Sequence, residues 1–270
     1  MIVEVLGDGR PEHAVVACVH GDETCGWHAF NRLKARGVAF QKPLKFVLAN
    51  ERAWKLGLRY CDEDLNRVAP GDPESTAYER RLAARLRQEL DGLKVLDIHS
   101  TESRSCPFAI VVGRSAATLN LARATGLRRV IDMSHVPGGL TQDLDGVAIE
   151  CGYHDDEDAA SIAFRTLRRF LAAEGVIDGP VERPELEVYE VFEVAAGRNY
   201  EVVVDNFSRV EPGEVYAHKD TTIRRAEQPF YPVLMSNDGY EDLIGFKARK
   251  VAPAQSAASP SMMWRHGNGH

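Results

Sequence analysis

Hydrophobic and polar positions along the first two-thirds of the chain switch between two periods. Short apolar runs read as buried strands: His13 to Val19 (HAVVACV), Pro43 to Ala49 (PLKFVLA), Leu93 to Ile98 (LKVLDI), Phe108 to Val112 (FAIVV) and Val147 to Ile149. Between them the spacing turns helical. Thr24 to Arg36 carries Trp27, Phe30 and Leu33 on one face. A second helix is predicted to open at Asp72-Pro73, as cap and first turn, with Tyr78, Leu82, Leu86 and Leu90 on one stripe. Further helical patterns run from Ser115 to Gly126 and from Asp158 to Gly175. This alternation predicts an α/β fold whose mostly parallel sheet is covered by helices on both faces.

The pattern changes after Pro180. Pro180 and Pro184 bracket a predicted linker, and short β-like runs follow: Val188 to Val194, Tyr200 to Val204, Val215 to Ala217 and Phe230 to Met235. Gly197, Pro212-Gly213 and Asp238-Gly239 punctuate them. The expected organisation is a catalytic domain over 1–180, a small β-rich C-terminal domain over 181–251 and a disordered tail over 252–270. A β unit of about 70 residues is too small for a rich core, so it is expected to pack on the first domain.

Charge narrows the list of partners. Lys plus Arg is 33 against 40 for Asp plus Glu, a formal charge of −7. A nucleic-acid binder would need a basic stripe, so none is expected as a partner. The longest apolar runs fall far short of the roughly 20 residues of a membrane span. The first residues, MIVEVLGDGRPEH, lack the basic start and apolar core of a secretion signal. Five scattered cysteines, never as Cys-x-x-Cys, argue against a disulfide framework or a thiolate zinc site. A soluble cytoplasmic protein is the default expectation, with a homo-oligomer left open.

Four local patterns carry chemistry. His20-Gly21-Asp22-Glu23 ends the first buried strand and opens a helix. An imidazole and a carboxylate leaving one loop are two of the three protein ligands of a catalytic zinc site. The same residues also fit a Glu serving a helix N-terminus beside a packed His. His99 closes Leu96-Asp97-Ile98-His99 at the carboxyl end of another inner strand, where α/β sheets place their sites. Asp97 shares its side of the strand and could accept the second ring N–H. A core His satisfied by that carboxylate is the alternative. Arg59, Asn66 and Arg67 lie in one long loop and offer fork-like donors for a carboxylate or a developing oxyanion, unless the loop is merely salt-bridged in solvent. Glu150, ending a short apolar strand, would suit a general base near an activated water, or would simply face solvent.

Taken in order, HGDE, DLNR, DIH and IECG resemble the aspartoacylase and succinylglutamate desuccinylase family of zinc carboxypeptidase-like hydrolases. The family pattern also has an Arg eight residues ahead of the Arg in Asp-Leu-Asn-Arg, and Arg59 stands eight residues ahead of Arg67. The resemblance spans roughly residues 10 to 250. It implies a carboxypeptidase-like α/β domain with a β-rich C-terminal domain, and one zinc ion per chain held by His20, Glu23 and His99. It implies Glu150 as general base and proton shuttle, and Arg59 on the scissile carbonyl. Asn66 and Arg67 would grip the amino-acid carboxylate, with Tyr240 closing the pocket. The implied activity is a deacylase cleaving the amide of a small N-acyl amino acid.

One departure bears on the substrate. Aspartoacylases carry a further arginine about ten residues before the catalytic glutamate, and Gly138 to Asp145 (GGLTQDLD) contains none. A dicarboxylic substrate is therefore not implied, unless Arg104 takes that part. Two other readings remain at this stage. One is a zinc carboxypeptidase acting on peptides, which would need an open groove. The other is a metal-binding regulatory protein without catalysis, against which Glu150 and Arg59 speak.

Overall fold

Alternate residues of the inner strands enter two different cores. Val15, Ala17, Phe46, Leu48, Leu96 and Ile98 pack in one cluster, while Ala14, Val16, Val47 and Val95 pack in another. Side chains of a strand alternate faces, so the sheet is covered on both sides. The computed structural model describes residues 1–136, 138–154, 156–237 and 242–253.

The first part of the chain runs β1 (Ile2–Leu6), β2 (His13–Ala17), α1 (Cys25–Ala35), β3 (Leu44–Leu48), α2 (Glu51–Leu56), α3 (Tyr78–Leu90) and β4 (Lys94–Thr101). It continues with β5 (Phe108–Val111), α4 (Ala116–Ala124), β6 (Arg129–Asp132), β7 (Gly146–Tyr153) and α5 (Asp158–Ala173). The remaining strands are β8 (Glu187–Ala196), β9 (Glu201–Val202), β10 (Val215–Lys219), β11 (Thr222–Arg225), β12 (Tyr231–Val233) and β13 (Leu243–Val251).

Ten strands form one sheet in the order β1-β3-β2-β4-β7-β5-β6-β8-β13-β12. The pairs β2–β3, β2–β4, β4–β7, β5–β6 and β6–β8 are parallel, which makes the sheet mostly parallel. Antiparallel pairs occur at both edges and at β5–β7. Helices α1, α4 and α5 cover one face, burying Phe30, Leu33, Leu119, Leu167 and Phe170. The Phe30 ring stacks on Phe46 at 3.5 Å between centroids. Helix α3 covers part of the other face through Leu82, Leu86 and Leu90. Beyond α3, that face is closed by Phe207, Leu234 and Phe246.

Strands β8, β12 and β13 extend the main sheet, and β9 to β11 form a separate three-stranded antiparallel sheet. Of the predicted tail, residues 254–270 lie outside the described residues.

The helix expected from Asp72 starts instead at Tyr78. Asp72 makes a local turn, its carboxylate accepting from Glu74 N at 2.9 Å. The exposed N–H of Tyr78 is capped from a distant loop, by Asp62 Oδ2 at 2.8 Å. The cap therefore has no local sequence signature, because the acceptor is supplied 16 residues upstream.

Candidate metal centre and active site

The turn after β2 brings His20 and Glu23 together because it hugs another backbone. Gly21 donates its N–H to Arg59 O at 3.0 Å. A Cβ on Gly21 would stand 2.3 Å from the backbone of Ala53 and Trp54 in α2, so only glycine fits there. Glu23 N then bonds back to His20 O at 3.2 Å, and α1 begins at Cys25. His99 arrives from β4. Leu96 and Ile98 bury in the helical core on the opposite face, which leaves Asp97 and His99 on the α3 face.

The three side chains meet on the Glu23 carboxylate. His20 Nδ1 lies 2.7 Å from Oε1 and His99 Nδ1 lies 2.8 Å from Oε2. All three residues are buried, and their ligand atoms lie within 4.8 Å of one another. Each ring is held at its far nitrogen by a second carboxylate. His20 Nε2 meets Asp64 Oδ1 at 3.0 Å, and His99 Nε2 meets Asp97 Oδ2 at 2.8 Å. An imidazole that gives Nε2–H to a carboxylate keeps the Nδ1 lone pair for a metal. Two such rings with one carboxylate are the donor set of an open zinc site. The residues therefore fit a divalent cation.

The electrostatics agree with that fit. Burial works against charge on Glu23, yet the two imidazoles hold its carboxyl well below the usual carboxylate range. Burial also opposes charge on both rings, but Glu23, with Asp97 beside His99 and Asp64 beside His20, pushes their basicity up. Asp64 is likewise held below its ordinary value against burial, chiefly by its hydrogen bond from His20. The cluster is thus built to hold positive charge among carboxylates.

The loop from Arg59 to Arg67 is fastened from below. Glu79, fully buried on α3, accepts from Cys61 N at 2.7 Å, Asp62 N at 3.0 Å and Glu63 N at 3.2 Å. Its Oε1 also accepts from Asn50 Nδ2 at 3.1 Å. One carboxylate thereby satisfies three successive loop amides. Just upstream of these amides, Arg59 Nη1 donates to Glu23 Oε1 at 3.0 Å, and its Nη2 lies 3.6 Å from Asp64 Oδ2. Asn66 Oδ1 accepts from Leu140 N at 2.9 Å, and Asn66 lines the cleft. Arg67 reaches the cleft beside Gly138.

Glu150 stands one strand from His99, as its register partner across β4 and β7. Its neighbours Ile149 and Cys151 enter the helical core, so Glu150 shares the face of His99. Burial pushes its carboxyl up to about 8. Oε2 is shut off from solvent and has no hydrogen-bond partner among the described residues. An unpaired buried carboxylate oxygen costs free energy and is accordingly a ready proton acceptor.

One cleft joins these groups. His20, Glu23, Arg59, Asn66, Arg67, Asp97, His99 and Glu150 all line it. Tyr240 lies outside the described residues. Arg104 does not line this cleft. It lies over the Tyr153 ring, 4.8 Å from the centroid, in a neighbouring cavity that shares only Glu102 with the first. Asp64, Glu79 and Glu102 were not singled out in the sequence. Asp64 is the first residue of Asp-Leu-Asn-Arg, and its spacing to Asn66 and Arg67 is the signal the sequence carries for it.

The geometry invites comparison with known proteins. Residues 10–145 match the sequence profile of the succinylglutamate desuccinylase/aspartoacylase catalytic domain, a span that holds His20, Glu23, Arg59, Asn66, Arg67, Asp97 and His99 and ends five residues before Glu150. Among solved structures, the chain is similar to a succinylglutamate desuccinylase/aspartoacylase from Rhodobacter sphaeroides, with 21% identity over 93% of this chain and 89% of that one and a TM-score of 0.76. It is also similar to the ectoine utilization protein EutE from Ruegeria pomeroyi, with 20% identity over 91% and 88% and a TM-score of 0.71. Murine aminoacylase 3 gives 20% identity over 90% and 97%, with a TM-score of 0.68. A sequence search of curated proteins finds no match. These structural likenesses carry the fold, and the profile match over half the chain carries the family: this protein is a member of the succinylglutamate desuccinylase/aspartoacylase family.

Proposed function

We propose that the protein is a zinc-dependent deacylase that hydrolyses the amide bond of a small N-acyl amino acid. The observation that carries this reading is the pairing of two features on one sheet face. Three ligand atoms converge within 4.8 Å, and the unpaired Oε2 of Glu150 lies one strand away. One zinc ion, held by His20, Glu23 and His99, would supply Lewis acidity toward the carbonyl and acidify water.

The chain's own residues do the rest. Glu150 takes a proton from the attacking water and returns it to the amine nitrogen as the C–N bond breaks. A carboxyl raised by burial suits both steps, since it holds a proton readily near neutral pH. Arg59, fixed by Glu23 and Asp64, donates to the carbonyl oxygen as negative charge develops there. Asn66 and Arg67 bind the substrate carboxylate, and Tyr240 closes the pocket. Asp97 and Asp64 keep the ligand rings in the Nε2–H form.

In the same reading, residues 1–180 form the catalytic unit and residues 181–251 form the unit that walls it, since Leu234 and Phe246 line the cleft. That wall is why a small substrate is preferred over a peptide chain. Among the described residues no helix is long and apolar enough to cross a membrane. All five cysteines are free, which suits the reducing cytoplasm.

Metal analysis joined to a substrate panel tests the proposal. It expects about one zinc per chain, lost in His99→Ala, and hydrolysis of N-acyl amino acids in preference to release of C-terminal residues from peptides. A zinc-loaded chain that hydrolyses no amide or ester would sink it.

A further inference from the structure

We infer that the substrate is a mono-anion: one carboxylate bound by Arg67, with an uncharged, apolar group seated across the cleft against β5 and β6. This rests on the deacylase reading and goes further, to the class of amide the site accepts.

Two independent observations carry it. The first is the count of cations. Among the described residues lining the cleft the guanidinium groups are those of Arg59 and Arg67. Arg59 is already engaged by Glu23 and Asp64. Arg67 adds to the field that holds the Asp64 carboxyl down but makes no direct ion pair among the described residues, so one guanidinium is left to contact one substrate carboxylate. The other acid on the wall, Glu102, disfavours a second anion.

The second is how the sheet lays out its side chains. On the cleft face, β4 offers His99 and β7 offers Glu150. The next strand is β5, where Ile110 is the register partner of Ala148, and β6 follows. Adjacent strands stand about 4.8 Å apart, so the wall changes from ligating to apolar within one strand of the base. Ile110, Val112, Met133, Val136, Leu234 and Phe246 make that wall. Their opposite-face neighbours Ala109, Val111 and Val130 bury in the helical core, which fixes the facing. Ile110 and Val112 are only partly buried, with surface left to cover. Leu140 lines the same cleft, its N–H held by Oδ1 of Asn66, the residue before Arg67. A carboxylate placed on this wall would lose its water without gaining a partner, whereas an aliphatic or aromatic group gains from burial.

The test compares kcat/KM of the zinc-loaded full chain on N-acetyl derivatives of leucine, methionine and phenylalanine with those of aspartate and glutamate. N-isovaleryl- and N-benzoyl-glycine form a second arm, showing whether the apolar group belongs to the amino acid or to the acyl part. The better apolar arm is expected to exceed the dicarboxylates by on the order of 100-fold. Leu140→Arg, on a partly exposed position, is expected to narrow that gap at least about 10-fold by restoring a second cation. Calorimetric binding of acetyl-leucine and acetyl-aspartate to Glu150→Gln gives a readout without turnover. Dicarboxylates equal to or better than the apolar series, in rate or binding, overturn the inference while leaving the deacylase intact. Binding of neither ligand also overturns it. Apolar preference in binding with no hydrolysis by the wild-type chain would instead retain the pocket and remove the proposed reaction.

Discussion

His99 and Glu150 face the same cleft as register partners on adjacent parallel strands, so a residue of the candidate metal centre and a buried carboxylate are held side by side by the sheet itself. Neither depends on a flexible loop for its position. The account predicts that substitutions at their supports act on metal affinity, loop order or stability in separable ways.

Asp97 is the support for His99. Asp97→Asn keeps the size but removes the charge that accepts the Nε2–H at 2.8 Å. Zinc affinity, measured by competition with a chelator, is expected to fall about 10–100-fold with the fold unchanged by circular dichroism. Unaltered affinity would show that the pair is only a packed core contact.

Glu79 is the support for the loop that carries Asn66 and Arg67. Replacing it with Gln removes the charged acceptor shared by the amides of Cys61, Asp62 and Glu63. Urea melts should show a loss of about 1–3 kcal/mol. KM should rise more than kcat falls, because Asn66 and Arg67 hang from that loop. A variant of normal stability and normal KM would contradict the role.

Glu174 gives a pH signature away from the site. Its carboxyl is held down to about 2, from an ordinary 4.5, first by the hydrogen bond from His13 and then by Lys94 despite partial burial. A depressed carboxyl stabilises the fold above its unfolded pKa, and that contribution is lost as pH falls through the folded one. Glu174→Gln should therefore be less stable than the wild type at neutral pH, with the gap shrinking as pH falls from about 4.5 toward about 2. A gap that stays constant over that window would refute the assignment.

The inner strands were legible because both faces are buried, so β2, β3, β4, β5 and β7 read as continuous apolar runs. Edge and short elements were not. In β1 every second residue is exposed, and α2 spans six residues, too few for a helical period. Strand β13 hid behind charge: Lys247 is buried in it, paired with Glu193 at 2.6 Å from the neighbouring strand. The candidate ligands His20, Glu23 and His99, which the structure brings together, stood out because they follow or close buried strands. Asp64 stood in a local motif but gained its part from a partner 44 residues away, and Glu79 from partners 16–18 residues away that no local pattern encodes.

The central claim is that Glu150 moves the proton at a metal-activated water. Glu150→Gln keeps the shape and leaves His20, Glu23 and His99 untouched, so its zinc content and its turnover of the best N-acyl amino acid measure that claim directly. The account predicts about one zinc per chain, as in the wild type, with kcat lowered on the order of 10²–10⁴-fold. Full zinc content with near-wild-type kcat would contradict it.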